Sequence, residues 1–242
     1  MERLQKVIAN MGYTSRRKAE ELIKDKKVKV NGKIIDTLGY KVEESDKIEV
    51  EGILLEKERK VYYLLNKPRG VITSSKDEKS RKTVVDLIDT DIRIYPVGRL
   101  DYDTTGAIIL TNDGDLTNYL THPKNEIEKV YVAKINGLLT GNDLRRLKNG
   151  IEIDNYVTSP AKVKVKKIDK DRTSSIVQIT IHEGKNHEIK KMFEALGHEV
   201  LKLKRERIAF LTVDDLKSGE YRILSHNEIK KLYNYNQNKN RQ

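Results

Sequence analysis

The sequence predicts an α+β protein with a small first domain and a larger second one. In its first 50 residues, two segments with apolar residues at helical spacing are followed by short alternating stretches that are typical of strands. Residues 51–60 are polar and charged, and beyond them longer alternating runs are separated by segments with helix-capping residues. We therefore expect domains at 1–50 and 61–233, a linker at 51–60 and a disordered polar tail at 234–242.

Positive charge is the strongest feature of the composition. The 242 residues include 48 Lys and Arg against 37 Asp and Glu, which gives a formal net charge of +11. This balance indicates a polyanionic partner, with a solvated Lys-rich surface as the alternative. The sequence has no cysteine, which excludes a disulfide framework, a thiolate zinc site and a Cys nucleophile. No apolar run approaches the roughly 18 residues of a membrane helix, so we expect a cytoplasmic protein without membrane contact.

The first domain should begin with two helices and a hairpin. Residues 3–12 carry apolar side chains at helical spacing, and Thr14 or Ser15 can cap a second helix. That helix would begin with Arg16, Arg17 and Lys18, although cations in a first turn oppose the helix dipole at about 0.3–1 kcal/mol each. We infer that something other than helix stability favours them there. Asn31-Gly32 is the strongest signal for a hairpin between short strands.

The second domain alternates strand and helix patterns. Strands are predicted at 61–65 and 71–74 around an Asn-Lys-Pro-Arg-Gly turn, then at 129–135, 161–168, 175–183, 200–203, 208–213 and 220–224. Capping residues predict a short helix after Thr83 and longer helices at 140–147, at 189–196 and after Ser225. Lysines alternate along 161–168, which indicates either an RNA surface or a charged strand edge that resists aggregation.

One stretch places carboxylates in a turn before a buried strand. Gly98-Arg99-Leu100-Asp101-Tyr102-Asp103-Thr104-Thr105-Gly106 is followed by four apolar residues and Thr111-Asn112-Asp113-Gly114. Pro96 and Gly98 break regular structure ahead of it. Asp101 should therefore lie on a loop that leads into a strand, where backbone can hold a carboxylate toward a cleft. A surface turn rich in Asp and Thr is the alternative.

The order of residues in this stretch resembles the signature of the RsuA family of bacterial ribosomal pseudouridine synthases, which includes one small-subunit type (A) and three large-subunit types (B, E and F). That pattern reads Gly-Arg-Leu-Asp-x-Asp-Thr-x-Gly, four apolar residues, then Thr-Asn-Asp-Gly. The resemblance implies that Asp101 is the catalytic nucleophile. It also implies a catalytic domain built on a mixed, largely antiparallel sheet flanked by helices.

Two further motifs of that family are present. Lys129-Val130-Tyr131-Val132 is similar to a Lys-x-Tyr-x-Val strand whose Tyr stacks on the target base, which implies a catalytic role for Tyr131. Glu188-Ile189-Lys190-Lys191-Met192 departs from the usual Gln-Val-Arg-Arg-Met. The first basic residue of that motif pairs with the catalytic carboxylate, so Lys190 is expected to do so as a point charge, with Lys191 left open for the same task.

The resemblance implies further contacts with substrate. Arg99 would lie beside a nucleotide flipped out of its stack, with Thr105 and Lys191 as additional substrate-binding residues. The segment from Glu2 to Asp46 resembles the RNA-binding module named after ribosomal small-subunit protein four. That module implies phosphate contacts, which weaken as salt rises, from Arg3, Lys6, Arg16, Arg17 and Lys18.

These resemblances imply a site-specific isomerase that converts uridine to pseudouridine in ribosomal RNA or a ribosomal subunit precursor. The first and last segments are most similar to the large-subunit enzymes of type B, which favours a large-subunit target over a small-subunit one. No metal or organic cofactor is implied, and a monomer is expected. A noncatalytic RNA-binding assembly factor is the alternative from another functional class.

Two other signatures overlap the central stretch. Asp101-x-Asp103-x-Thr105 resembles the start of the aspartyl-phosphatase motif, which binds magnesium, but Pro96 and Gly98 interrupt the strand that such a motif should end. A calcium loop would need Glu where Asn112 stands. The histidines do not form a His-Glu-x-x-His pattern, and we interpret them as surface or RNA-facing residues: His182, His187 and His198.

Overall fold

Two compact units make up the protein in a computed structural model, which describes residues 1–169, 171 and 173–236. The first unit contains residues 1–61 with the short segments 90–94 and 112–114, and the second contains the other described residues. The prediction of a disordered tail at 234–242 is wrong for its first residues, since Tyr235 packs against a buried cluster and Asn236 Nδ2 donates to the Asn125 carbonyl at 2.7 Å. Residues 237–242 lie outside the described part of the chain.

The first unit packs two helices against short antiparallel strands. Its elements are β1 (Glu2–Arg3), α1 (Leu4–Asn10), α2 (Arg16–Lys24), β2 (Val28–Val30), β3 (Lys33–Ile34), β4 (Lys41–Val42), β5 (Ile48–Val50) and β6 (Ile53–Leu54). Strands pair in the order β3-β2-β5-β6, and β1 pairs with β4. Ser15 caps α2 by accepting a hydrogen bond from the Lys18 backbone. β6 lies inside the stretch predicted as a linker, because Ile53 and Leu54 pair with β5.

A large sheet organises the rest of the chain. Its strands are β7 (Tyr62–Lys67), β8 (Tyr95–Pro96), β9 (Thr105–Thr111), β10 (Lys129–Asn136), β13 (Lys162–Asp169), β14 (Ser174–Ile181), β15 (Val200–Ile208), β16 (Leu211–Thr212) and β17 (Tyr221–Ile223). A separate hairpin is formed by β11 (Glu152–Ile153) and β12 (Tyr156–Val157). The helices are α3 (Gly114–Thr121), α4 (Gly141–Asn149), α5 (Glu188–Glu194) and α6 (His226–Tyr233), with short 3-10 turns at Val85–Leu87 and Pro123–Asn125.

The sheet is mixed and largely antiparallel, as predicted. Its main order is β13-β14-β10-β15-β9-β7-β17, and β15 runs parallel to β9. Apolar side chains of β7 and β9 meet those of α3 and α6 in one buried cluster, which includes Leu64, Ile109, Leu116 and Leu232. Among the helices in the described part of the chain, none has the length and apolarity to cross a membrane.

One strand prediction is wrong. The segment 71–74 does not return beside β7 but leaves the sheet. It forms one isolated bridge, between Ile72 and Thr83. The Thr73 hydroxyl donates to the Leu100 carbonyl at 2.7 Å. β7 instead pairs with β9, whose apolar residues 107–110 are fully buried, and with the short strand β17. The strands predicted at 200–203 and 208–213 are present as β15 and β16, but β15 is longer than predicted because the chain stays extended beside β10 as far as Ile208.

Candidate active site

The loop that carries Asp101 enters β9 and is fixed by a buried amine. Lys67, at the end of β7, is fully buried, and its Nζ donates to the carbonyl oxygens of Asp101 at 3.0 Å and Thr104 at 2.9 Å. A third bond goes to the Pro68 carbonyl at 3.2 Å. Burial lowers the pKa of Lys67 to about 8, against the opposing influence of nearby carboxylates. The Lys67 ammonium is therefore hydrogen-bonded to backbone carbonyls, and the Asp101 carboxylate is free of it.

A second support comes from the turn after β7. The Gly70 backbone N–H donates to the Tyr102 carbonyl at 2.9 Å. The Thr73 hydroxyl exchanges hydrogen bonds with the backbone of Leu100 on the other side of Asp101. These bonds explain why the segment after Gly70 leaves the sheet: it braces the loop on both sides of Asp101.

Asp101 lines a cavity of about 270 Å³. The walls come from the Asp101 loop, from β10 and β15, and from the start of α5. Polar side chains from these separate segments converge there: Arg99, Asp101, Tyr131, His187, Lys190 and Arg205. This convergence of charged groups at a concave surface is typical of an active site.

Lys190 is shared by two carboxylates. Its Nζ lies 3.4 Å from Asp101 Oδ2, and it donates to both oxygens of Asp103, at 2.7 and 2.9 Å. The hydrogen bond from Lys190 lowers the pKa of Asp103. On the other side, His187 Nε2 lies 3.5 Å from Asp101 Oδ1. Asp101 therefore has one basic side chain near each carboxylate oxygen.

Tyr131 stands on β10 directly opposite Arg205 on β15. Both are buried, at 7% and 2% exposure, and Arg205 Nη1 donates to the Tyr131 hydroxyl at 3.3 Å. Arg205 Nε donates to the Ala107 carbonyl at 2.7 Å, so the guanidinium is tied to β9. The phenol ring is thereby held in a single orientation against the cavity.

The start of α5 depends on a pair of acidic side chains. Glu188, its first residue, is buried, and its Oε2 accepts from the Lys185 backbone at 2.9 Å. Burial, together with a hydrogen bond to Glu183, raises the pKa of Glu188 to about 8. Glu183 Oε1 accepts from the Ser159 backbone at 2.6 Å. Burial therefore favours the protonated form of Glu188, two residues before Lys190.

The structure separates the other predicted residues of the site. Arg99 is exposed at the cavity rim. The Thr105 hydroxyl lies 3.5 Å from the Leu203 carbonyl, between strands. Lys191 forms an ion pair with Asp154 at the β11–β12 turn, so of the two lysines it is Lys190 that lies beside Asp101.

The predicted RNA contacts of the first unit are accessible. Arg3, Arg16, Arg17 and Lys18 are exposed, and Lys18 pairs with Glu21 at 2.7 Å. Lys6 is half-buried and pairs with Glu2 at 2.5 Å. Arg16, Arg17 and Lys18 form the first turn of α2, as predicted.

Sequence reasoning missed Lys67, Asp103, His187 and Arg205 as parts of the site. Lys67 and Asp103 lie within motifs already recognised, but no pattern indicates which backbone or side chain they bind. Arg205 had a usable signal, since it shares its strand face with the apolar Leu203. An arginine on an inward face needs buried partners.

The fold and this cavity can be set beside known proteins. Residues 61–195 match the RNA pseudouridylate synthase family, and residues 2–48 match the S4 domain. The chain belongs to the RNA pseudouridylate synthase family. It is therefore an enzyme, an RNA-acting isomerase, and this decides against the phosphatase and the noncatalytic binding factor. The specific roles of Asp101, Tyr131 and Lys190 stay predictions.

Relatives of the synthase cover nearly its whole length. It is 55% identical to the ribosomal large subunit pseudouridine synthase B of Bacillus subtilis (strain 168), over 96% of each chain. It is 40% identical to an RNA pseudouridine synthase of Aquifex aeolicus (strain VF5), over 96% of this chain and 93% of the relative. A solved structure described as a pseudouridylate synthase is 34% identical with a TM-score of 0.67, covering 96% of this chain and 100% of that one.

Proposed function

We propose that this synthase isomerises a uridine of large-subunit ribosomal RNA to pseudouridine, with Asp101 as its nucleophile. The observation that carries the proposal is the cavity where Asp101, Tyr131 and Lys190 converge, with Lys190 3.4 Å from the carboxylate. The large-subunit target is supported by 55% identity to the Bacillus subtilis large-subunit enzyme. The substrate is the RNA or a subunit precursor, met in the cytoplasm by a monomer.

The reaction replaces one bond to the ribose C1′ by another. The bond from C1′ to N1 breaks, uracil turns, and C1′ joins C5. N1 gains a proton and C5 loses one, so the product is an isomer of the substrate. The site must therefore supply a carboxylate, hold detached uracil, and take the proton from C5.

Each task falls to a residue already placed. Asp101 is the carboxylate, Lys190 balances its charge, and His187 Nε2 lies beside its other oxygen. Tyr131 packs on the uracil face, in an orientation fixed by Arg205. Arg99, exposed at the rim, lies where its plane can replace the flipped base or bind phosphate.

We assign the two domains separate tasks. Residues 1–50 bind RNA phosphates through exposed cations such as Arg16 and Arg17, and residues 61–233 carry the chemistry. Residues 51–60 complete the first unit, where Ile53 and Leu54 pair with β5. Binding strength and catalytic rate should then respond to different substitutions.

Tritium release from RNA labelled at uracil C5 tests the proposal, because C5 loses its hydrogen only when the isomerisation proceeds. We expect release by the wild-type chain on large-subunit RNA and none above background by Asp101→Asn, with unchanged RNA affinity. Asp214→Asn, at an exposed carboxylate far along the chain, is the matched control and should release at the wild-type rate.

Three outcomes oppose the proposal in different ways. Release confined to small-subunit RNA would contradict the large-subunit target. Full activity of Asp101→Asn would remove Asp101 from its role. Absence of release from both RNAs, free and in precursor particles, would contradict ribosomal RNA as the substrate.

A further inference from the structure

One face of the large sheet carries lysines on three of four adjacent strands. Across β13, β14, β10 and β15, Lys164, Gln178, Val132 and Lys204 are direct neighbours. The next row joins Lys167, Ile176, Lys134 and Lys202 in the same way. Directly paired residues lie on the same face of a sheet. We call the set formed by Lys134, Lys164, Lys167, Lys202 and Lys204 the lysine face.

This face is open, and the opposite one is buried. Lys164, Lys167 and Lys202 are exposed, while Lys134 and Lys204 are half-buried. On the other side of the same strands, Ala133, Val177 and Ile179 have no exposed surface. With strands about 4.8 Å apart and rows about 7 Å apart, the amino groups can cover a surface roughly 14 Å wide.

Few carboxylates offset this charge. Glu128 pairs with Lys162 at 2.7 Å and with Arg207 at 3.8 Å. Lys162 and Arg207 belong to the row next to that of Lys164, so Glu128 offsets charge in that row. The row beyond Lys134 contains Asp169 and Glu199 at its two ends. Within the described residues, no carboxylate oxygen lies within 4.0 Å of an amino group of the lysine face.

The arrangement opposes folding. Lys134 and Lys202 are directly opposite each other on neighbouring strands. Like charges in that position destabilise a sheet by a few tenths of a kcal/mol or more. Such a pair on an open face is expected where an external anion offsets the repulsion.

Resistance to aggregation explains only part of the pattern. β13 is an edge strand, and lysines on an edge discourage pairing with other chains. β10 has a neighbour on each side, and β15 is paired with β9 at Lys204, so Lys134 and Lys204 protect no edge. The interior lysines therefore favour a binding surface.

We propose that the lysine face binds the phosphodiester backbone of ribosomal RNA at a segment separate from the one that enters the cavity. The separation follows from strand alternation: Tyr131 and Arg205 face the cavity, whereas Val132 and Lys204 face the other way. A short hairpin in the cavity cannot reach across the sheet, but a longer folded RNA can pass round the β13 edge. This inference rests on the proposed function for its choice of RNA.

The test compares two variants that remove the same charge. One is Lys134→Gln, Lys164→Gln, Lys202→Gln and Lys204→Gln together. The control replaces four exposed lysines elsewhere in the same unit, Lys148, Lys217, Lys230 and Lys231, by Gln. Fluorescence anisotropy measures the affinity of each for a transcribed domain of large-subunit RNA and for a short uridine-loop hairpin, over a range of salt concentrations.

We expect the lysine-face variant to bind the RNA domain at least about tenfold more weakly than the control. Its slope of log affinity against log salt should be shallower by about 3, from four lost phosphate contacts. Binding to the hairpin should match the control, and so should the maximal rate of tritium release. Equal affinity and slope for the two variants on the RNA domain would overturn the proposal.

The salt dependence and the melting temperature of a single variant distinguish a binding role from a structural one. Lys202→Gln alone should make the slope shallower by about 0.7–0.9 and should not lower the melting temperature, since it removes a like-charge pair. A steep fall in melting temperature with an unchanged slope would assign Lys202 a purely structural role and overturn the proposal. Tritium release by the wild type tests the proposed function separately, because the binding comparison does not depend on it.

Discussion

Lys190 holds a position between two carboxylates that an arginine would occupy differently. Its ammonium donates to both oxygens of Asp103 and lies 3.4 Å from Asp101. Arginine presents a planar fork that matches one carboxylate in bidentate fashion, whereas an ammonium can divide its donors among several oxygens. Asp103 thus fixes the lysine so that part of its charge faces Asp101.

Replacing this charge should slow the reaction more than it weakens binding. We expect Lys190→Met to lower kcat for tritium release about 10²–10³-fold, because a preorganised charge at the reacting carboxylate is lost, with a smaller change in KM. Lys190→Arg, which keeps the charge, should recover part of the rate. Lys191→Met is the control, since Lys191 binds Asp154, and it should stay near the wild-type kcat. Equal losses at 190 and 191 would contradict the assignment.

At the residue scale, the sequence predicts which residues form the site better than it predicts which groups they contact. The nucleophile candidate, the tyrosine and the basic residue follow from motif positions, and the structure places Lys190 beside Asp101. The motif contains Asp103 but does not indicate that it takes most of the Lys190 contact. Nor does it indicate that Lys67 binds loop carbonyls, because that depends on burial produced by distant strands.

At the element scale, the parallel contact of β9 with β15 brings the Asp101 loop beside Arg205. Gly106 sits directly opposite Arg205 with a φ of +105°. A Cβ at this position would lie 2.1 Å from the Arg205 carbonyl oxygen. Both the backbone conformation and the close approach therefore require glycine.

We expect Gly106→Ala to lower the free energy of unfolding by about 2–4 kcal/mol, through strained backbone and overpacking. Urea denaturation measures this directly. Gly141→Ala is the control, because a Cβ there meets no atom within 4 Å, and it should change stability by at most about 0.5 kcal/mol. Comparable stability of the two variants would contradict the close β9–β15 contact.

The first turn of α5 should make stability depend on pH. Burial and Glu183 raise the pKa of Glu188 to about 8, above its ordinary value of 4.5. The folded chain therefore binds this proton more tightly than the unfolded one. The stabilisation is complete below pH 4.5 and is lost as pH rises through 8.

Glu188→Gln removes that ionisation and keeps an oxygen for the Lys185 backbone bond. Between pH 6 and 9 we expect the wild type to lose on the order of 2 kcal/mol more than the variant. Thermal unfolding across this range gives the comparison. Glu194→Gln, at an exposed residue of the same helix, should follow the wild type. A parallel pH dependence in wild type and Glu188→Gln would contradict a buried, protonated Glu188.

Elements defined by local chemistry were predicted well. Thr140 with Asp143 and Ser225 with Glu228 form the expected capping boxes, and Asn31-Gly32 joins β2 to β3. The error at 71–74 concerns which strand pairs with which, a matter decided by competition among distant segments. A short segment of the sequence therefore does not determine which strand it will pair with.

At the scale of the whole molecule, the net charge of +11 serves more than one surface. The cavity uses few of these cations, and the first turn of α2 presents others with no gain to the helix. Because RNA releases counterions at each phosphate contact, salt should weaken binding steeply. Cations far from the cavity should then set affinity and leave the chemical step unchanged.

Arg16→Gln with Arg17→Gln tests this division in the full chain. Both side chains are exposed in the first turn of α2, so their loss should not destabilise the fold and should slightly favour the helix dipole. We expect KM for ribosomal RNA to rise at least about fivefold at moderate salt, with the salt slope shallower by roughly 1.5 and kcat unchanged. Lys24→Gln with Lys57→Gln removes the same charge from exposed positions of the first unit and is the control. A fall in kcat would link α2 to the chemical step, and a KM equal to the control's would leave this helix without a role in RNA binding.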